Sequence, residues 1–152
     1  MEEIKIFSLD EIDSHFLVGA EGFEEGWIKR VVYPPYVDAK NFYMCILEVN
    51  PGFYAHRWHT HTSDRAKGVQ IVFPEGYVEI YHLINGRGVM QWKTKDGSVV
   101  EKTVGAGDTI YFPVDVTEHQ LFNDGTDRMR LLVVGAPAPQ ITLQKEMVLR
   151  EV

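Results

Sequence analysis

Short runs of β-branched and aromatic residues, each ended by a cluster of turn formers, constrain this chain more than any other feature. Such runs fall at 27–33, 41–49, 54–60, 76–84, 88–93, 99–103, 109–112, 118–123 and 128–134. Pro34-Pro35 ends the first, Asn50-Pro51-Gly52 the second, and Asn85-Gly86 precedes the run beginning at Gly88. Asp96-Gly97 and Asn123-Asp124-Gly125 read as hairpin turns, because Asn, Asp and Gly tolerate the positive φ that such turns need. No stretch carries the period of a long amphipathic helix. Residues 8–16 predict one short helical turn with Ser8 or Asp10 as its cap, and the tail 141–152 fits either a closing strand or a helix. Many short strands at regular spacing predict an all-β domain, a sandwich or barrel rather than an α/β sheet.

Composition narrows the function classes. The chain has 152 residues, 45% hydrophobic and 24% charged, enough apolar material for one buried core. Its 15 Lys and Arg against 22 Asp and Glu give a formal charge of −7. That balance argues against a phosphate-backbone binder, so no nucleic-acid partner is expected. No apolar run reaches the ~20 residues that span a bilayer, so no membrane partner is expected either. The start, MEEIKIFSLDEID, is acidic where a signal peptide is basic and then apolar. A cytoplasmic location is the expectation. Cys45, the only cysteine, lies in the apolar run 43–47 and reads as a small core residue.

Histidines carry the chemistry. Six occur, at 15, 56, 59, 61, 82 and 119. In an extended strand, residues two apart share a face, so His59 and His61 project together while Trp58 and Thr60 project the other way. Two imidazoles so placed suit adjacent positions on one metal ion, although an isolated pair also fits a solvated polar edge. His56 is out of phase with His59 and reads as a strand-edge histidine bonded to backbone, unless a twist or bulge brings it inward. His15 and His82 read as surface or packing residues.

Further along, Glu79 stands seven residues before the turn glycine Gly86, and Gly107-Asp108 is followed by Pro113, His119 and Asn123. With the histidine pair, this order of residues resembles the two motifs of the cupin superfamily over roughly residues 50–123. The resemblance implies a cupin-type antiparallel double-stranded β-helix, a jelly-roll barrel, with His59, His61, Glu79 and His119 converging on one divalent metal ion inside it. Two features depart from the pattern. Residues 62–78 intervene before Glu79 where the family has only a few, so 62–68 reads as a surface loop and 69–73 as an added strand or lid. Asp64 and Glu75 lie nearer as rival ligands; the spacing to Gly86 favours Glu79. The interval from Pro113 to His119 is one residue longer than usual, with Asp115 where a glycine is common, which predicts a local bulge or reshaped turn. The expected layout is one domain over 1–152: an arm at 1–26, the barrel at 27–135 with its 62–78 insertion, and a tail at 136–152.

Alternation extends the site. Tyr81 and Leu83 share the face of Glu79, while Ile80 and His82 face away; Leu121 and Asn123 follow His119 on its face. Phe53, Met90, Trp92 and Phe112 read as barrel core. Tyr81 is the candidate general acid or orienting hydroxyl, and His56 a proton shuttle if it reaches the cavity. The ligand set suits iron, manganese, nickel, zinc or cobalt. The leading expectation is a metal-dependent enzyme on a small oxygenated metabolite (a hydroxy or keto acid, a catechol or a sugar), by dioxygenase, isomerase, epimerase or lyase chemistry. The alternative is a non-catalytic small-molecule binding or sensor module; a storage cupin fits poorly, since those have two domains and degraded ligand sets. Small cupins resemble one another in pairing through edge strands or N-terminal segments, so a homodimer is expected.

Overall fold

The computed structural model describes residues 3–62, 64–66, 69–143 and 148–149, and each of the nine extended runs forms a strand in it. In chain order the strands are β1 (Ser14–His15), β2 (Gly26–Val32), β3 (Tyr43–Val49), β4 (Tyr54–His59), β5 (Asp64–Ala66), β6 (Val69–Val72), β7 (Val78–Asn85), β8 (Arg87–Lys93), β9 (Val99–Gly105), β10 (Thr109–Phe112), β11 (His119–Phe122), β12 (Met129–Ala136), β13 (Gln140–Leu143) and β14 (Val148–Leu149). They make a seven-stranded sheet in the order β10-β7-β12-β3-β2-β1-β14, a four-stranded sheet β4-β11-β8-β9 and a three-stranded sheet β13-β6-β5. No helix among the described residues is long and apolar enough to cross a membrane.

Period-2 alternation sets which face is buried. Along β12, Met129, Leu131, Val133 and Gly135 are buried, and every residue between them is half-exposed. Val133 lies opposite Cys45 on β3 and Tyr81 on β7, and Leu131 lies opposite Leu47 and Leu83. These residues join Met90 of β8, Leu121 of β11 and Phe112 of β10 in one core. A slip of one residue in any of these strands would move its apolar set to the solvent face. Cys45, Met90 and Phe112 are therefore core residues, with Phe53 and Trp92 packed at its margin.

The connections qualify the sequence reading. Asp96-Gly97 does close the β8–β9 hairpin, with Gly97 at φ +85°. Asn123-Asp124-Gly125 does not make a hairpin, because β11 and β12 belong to different sheets. The buried amide of Asn123 donates to the carbonyls of Val49 and Asp127, which pins the chain where it crosses between sheets. Asp115 takes φ +58°, the only non-glycine among the described residues with positive φ. The reshaped turn thus asks for the conformation that a glycine supplies freely and that Asp tolerates.

The ends and the insertion are also structured. Ser8 precedes a single 3₁₀ turn, Leu9–Glu11, and its N–H donates to the Glu11 carboxylate. The arm continues as β1 along β2 and buries Leu17 and Ala20 in the core. Within the stretch expected as a loop, residues 64–66 instead form β5, paired with β6; residues 63, 67 and 68 lie outside the described ones. The strand expected at 69–73 is present as β6 and pairs with β13 of the tail. Backbone pairing, which an insertion of this length can satisfy within itself and with the tail, is the reason. The rest of the tail, 144–147 and 150–152, lies outside the described residues.

Gly86 sits at the β7–β8 crossing with φ +82°, where a Cβ would lie 2.7 Å from the Arg128 carbonyl oxygen and 2.8 Å from the Met129 Cα. Gly86→Ala should therefore cost at least ~2 kcal/mol, combining left-handed strain with a backbone clash. Urea unfolding checks this; an unchanged midpoint would remove the requirement for glycine.

Candidate metal centre

The site begins with the pairing of β4 and β11. His119 lies opposite His59, Leu121 opposite His56, and Phe122 opposite Tyr54. The interval 56–59 on β4 thus spans one residue more than 119–121 on β11, and a second irregularity follows before Tyr54. An extra residue in one strand shifts the phase of everything beyond it. His56 therefore turns inward on the same side as His59. This corrects the expectation of a strand-edge histidine: His56 is 3% exposed, and its ring centroid is 4.2 Å from that of His59 and 5.1 Å from that of His119. Ligand nitrogens of His56, His59 and His119 all lie within 4.8 Å of one another.

Hydrogen bonds fix how two of these rings present themselves. Nδ1 of His59 lies 2.9 Å from the Arg57 carbonyl oxygen, and Nδ1 of His119 lies 2.8 Å from that of Thr117. A carbonyl only accepts, so each Nδ1 carries the proton and donates, and in the neutral ring Nε2 holds the lone pair. Among the described residues, Nε2 of His119 has no hydrogen-bond partner, and neither do the ring nitrogens of His56 and His61, all of them buried. Buried polar atoms rarely stay unpaired, and several orphaned imidazole nitrogens facing one small space form a donor set that fits a divalent transition-metal ion.

His61 and Glu79 close the other side. His61 Nε2 stands 3.3 Å from Glu79 Oε1, near in distance but not aligned as a hydrogen bond. Its ring is 4.9 Å from that of His119 and 5.6 Å from that of His59. Two atoms bound to one ion at about 2.1 Å and a right angle stand about 3 Å apart, so the His61–Glu79 separation also suits neighbouring ligands. Tyr77 and Tyr43 donate to Glu79 Oε2, the latter at 3.5 Å. Neither tyrosine was singled out from the sequence. Gly135, opposite Glu79 on β12, leaves the room for them: a Cβ there would run into the Tyr77 hydroxyl and lie 2.6 Å from Tyr43 Cε1.

Tyr81 and Leu83 are buried on the Glu79 face as alternation predicts, Ile80 is exposed, and His82 bonds to Thr109 on the outside. Tyr81 packs its ring 5.5 Å from His56 and 4.8 Å from Phe112. Leu121 and Asn123 are fully buried beyond His119. His15 is half-buried on β1 and does not line the cavity. Glu75 is exposed on the surface, and the side chain of Asp64 lies outside the described residues. Ile71 and Phe73 of the insertion and Ile141 of the tail join His56, His59 and His61 around one cavity of about 50 Å³. The insertion is thus a wall of the site, which spacing alone did not reveal.

Burial governs the charges. Desolvation holds the His119 imidazole down at about 3, with His59 nearby adding to the effect, and pushes His56 well below its ordinary value. Burial would raise Glu79, but the His61 ring and the Tyr77 hydroxyl outweigh it and the carboxyl is lowered. Tyr77 and Tyr81 are pushed up by burial and by the charge of Glu79, so both remain protonated donors at neutral pH. The centre thus pairs two imidazoles held neutral, His56 and His119, with one carboxylate.

Two predictions follow from this geometry. Because His56 and His119 stay neutral in the fold while the unfolded chain protonates near 6.5, chelator-treated protein should lose stability as pH falls below about 6.5. The slope should approach ~1.4 kcal/mol per pH unit for each histidine. Urea midpoints between pH 6.5 and 5 should fall less steeply in His119→Gln, and equal slopes would refute the assignment. Gly135→Ala should cost about 1–3 kcal/mol by overpacking. Adding Tyr77→Phe, which removes the hydroxyl the new methyl meets, should make the pair less than additive; strict additivity would mean that Gly135 does not make room for Tyr77.

Comparison with known proteins gives the fold. No protein-family model matches the chain, and no curated protein matches it. Among solved structures it is similar to the polyketide cyclase RemF from Streptomyces resistomycificus, at 17% identity over 93% of this chain and 85% of that one, TM-score 0.63. It is similar to a Cupin 2 conserved barrel domain protein from Salinispora arenicola, at 22% identity over 89% and 90%, TM-score 0.57. A candidate sugar phosphate isomerase from Acidithiobacillus ferrooxidans matches at 19% identity over 73% of this chain, TM-score 0.54; the match spans 58% of that protein's length. Together with the antiparallel sheets, these likenesses establish that the chain has a double-stranded β-helix fold like that of the Cupin 2 barrel protein.

Proposed function

We propose that the histidine cluster holds one divalent metal ion and that the protein is an enzyme acting on a small oxygenated metabolite. One observation carries this reading: the ligand nitrogens of His56, His59 and His119 lie within 4.8 Å of one another, with His56 and His119 buried and His59 half-buried. The buried nitrogens of His56 and Nε2 of His119, unpaired among the described residues, gain nothing from solvent, so the arrangement is costly unless a cation completes it. His59 and His119 are the anchors, oriented by the carbonyls of Arg57 and Thr117. His56 is the third ligand by proximity. The 3.3 Å approach of His61 to Glu79 favours a second arrangement, in which these two side chains join the anchors.

When bound, the ion supplies Lewis acidity toward a substrate carbonyl or hydroxyl and, if it is iron, redox chemistry. The side chains do the rest. Tyr81, a protonated phenol beside His56, is placed to donate a hydrogen bond or a proton to a substrate oxygen. Phe73, Phe112 and Tyr77 ring the histidines and keep water scarce, which strengthens every polar interaction inside. Dioxygenase, isomerase, epimerase and lyase chemistries all fit, since the cupin fold hosts many unrelated reactions. A non-catalytic binding module is the competing reading, and turnover of a panel of oxygenated metabolites by the metal-loaded protein separates the two.

Elemental analysis of protein purified without added metal or chelator should find about one equivalent of a transition metal. His59→Ala and His119→Ala should each lose at least nine-tenths of it. His56→Ala should match that loss if His56 is a ligand; His61→Ala should do so if the second arrangement holds. Stoichiometric metal surviving both anchor substitutions would end the proposal.

A further inference from the structure

Arg30 stands alone among the arginines whose side chains are described. Arg57 pairs with Glu25, Arg87 with Asp124, and Arg128 and Arg130 both with Glu48; all four are substantially exposed. Arg30 is 4% exposed, has no ion pair among the described residues, and its Nε and Nη1 are buried without a hydrogen-bond partner. It lies on the inward face of β2 with Ile28, opposite Cys45, and lines the same cavity as His56, His59, His61 and Glu79.

Among the described residues, nothing beside it neutralises it. A guanidinium stays charged in proteins. The Cys45 thiol is pushed up to about 12 by burial and Tyr43 is raised well above its ordinary value, so both neighbours are neutral. Glu79 is engaged by His61, Tyr77 and Tyr43. An isolated buried charge is strongly unfavourable, and its planar fork of donors matches a carboxylate in two parallel hydrogen bonds. Phosphate shares that chemistry, but one guanidinium neutralises a carboxylate and would leave the second charge of a phosphate buried on the wall that also holds Glu79.

We infer that Arg30 is the anchor for a substrate carboxylate, and that the substrate is a small hydroxy or oxo carboxylic acid whose second oxygen function faces the histidine cluster. This deepens the metal-enzyme reading and rests on it for the second contact only. The carboxylate contact belongs to Arg30 whether or not a metal is present.

The test is calorimetric titration of pyruvate, with 1,2-propanediol and inorganic phosphate as controls, into wild type, Arg30→Met and Arg30→Lys. Each is measured as purified and after chelator treatment, with metal content determined in parallel. Pyruvate should bind wild type and lose at least tenfold in affinity in Arg30→Met, with Arg30→Lys between them, while metal content stays at the wild-type level and propanediol is indifferent to the change. The ligand-free Arg30→Met protein should melt higher than wild type, because an apolar side chain of similar length replaces an unpaired buried charge. A readout that needs no variant is the NMR signal of the buried arginine Nε–H, which should shift on pyruvate saturation. Pyruvate binding equal in wild type and Arg30→Met, a static Nε–H signal, or Arg30-dependent binding of phosphate but not pyruvate would each overturn the assignment. Absence of pyruvate binding by wild type carrying stoichiometric metal would overturn it and leave the metal reading intact. Arg30-dependent pyruvate binding by protein that carries no metal would support it while the metal reading failed.

Discussion

The site depends on an imperfection in one pair of strands. Where β4 runs beside β11, it carries extra residues on either side of His56, and the ladder accommodates them by bulging. A regular β4 would alternate its side chains, sending His56 and His59 to opposite faces. The bulge spends a little pairing to change phase, and three imidazoles meet as a result. The strand that supplies two of them, β4, is also held at its start by the crossing at Asn123, whose backbone exchanges hydrogen bonds with Gly52 and Phe53 while its side-chain amide ties β11 to Val49 and Asp127.

Around that junction the chain builds supports in layers. Gly135 makes room for Tyr43 and Tyr77, these tyrosines fix Glu79, and Glu79 faces His61. Phe112 and Phe73 fill the remaining flanks of the histidines. Each layer removes water from the one inside it. That is why His56 and His119 are held neutral, and why the carboxylate keeps its charge only through the groups touching it. The same dryness gives Arg30 its character: on the surface it would be an unremarkable cation, whereas on the cavity wall its charge calls for a partner.

Much of this was legible in the residue order. The nine runs between turn formers all became strands, because period-2 patterning and Gly, Asn and Pro punctuation are local properties. Glu79, Tyr81 and Leu83 were placed on one inward face for the same reason, and His59 and His119 could be picked out as partners from their motif positions. Asp115 marked a reshaped turn before its positive φ was seen. Several things were not legible. A bulge is decided by the partner strand, so the inward turn of His56 was hidden. The turn at 123–125 looked like a hairpin because its residues are the same; only the partners of β11 and β12 distinguish a hairpin from a crossing. Tyr43, Tyr77 and Gly135 matter through contact with a residue far away in the chain, and nothing near them in sequence announces it.

By itself, the sequence determined an all-β chain with its apolar faces assigned, and a set of histidines and one glutamate able to serve as ligands. Those properties follow from alternation and side-chain chemistry, which act over a few residues. The tertiary structure decided which histidines converge, that the insertion and the tail wall the cavity, and that Arg30 is shut inside it with no counter-charge among the described residues. These depend on register between distant strands and on exclusion of water, which exist only once the sheets have closed on one another.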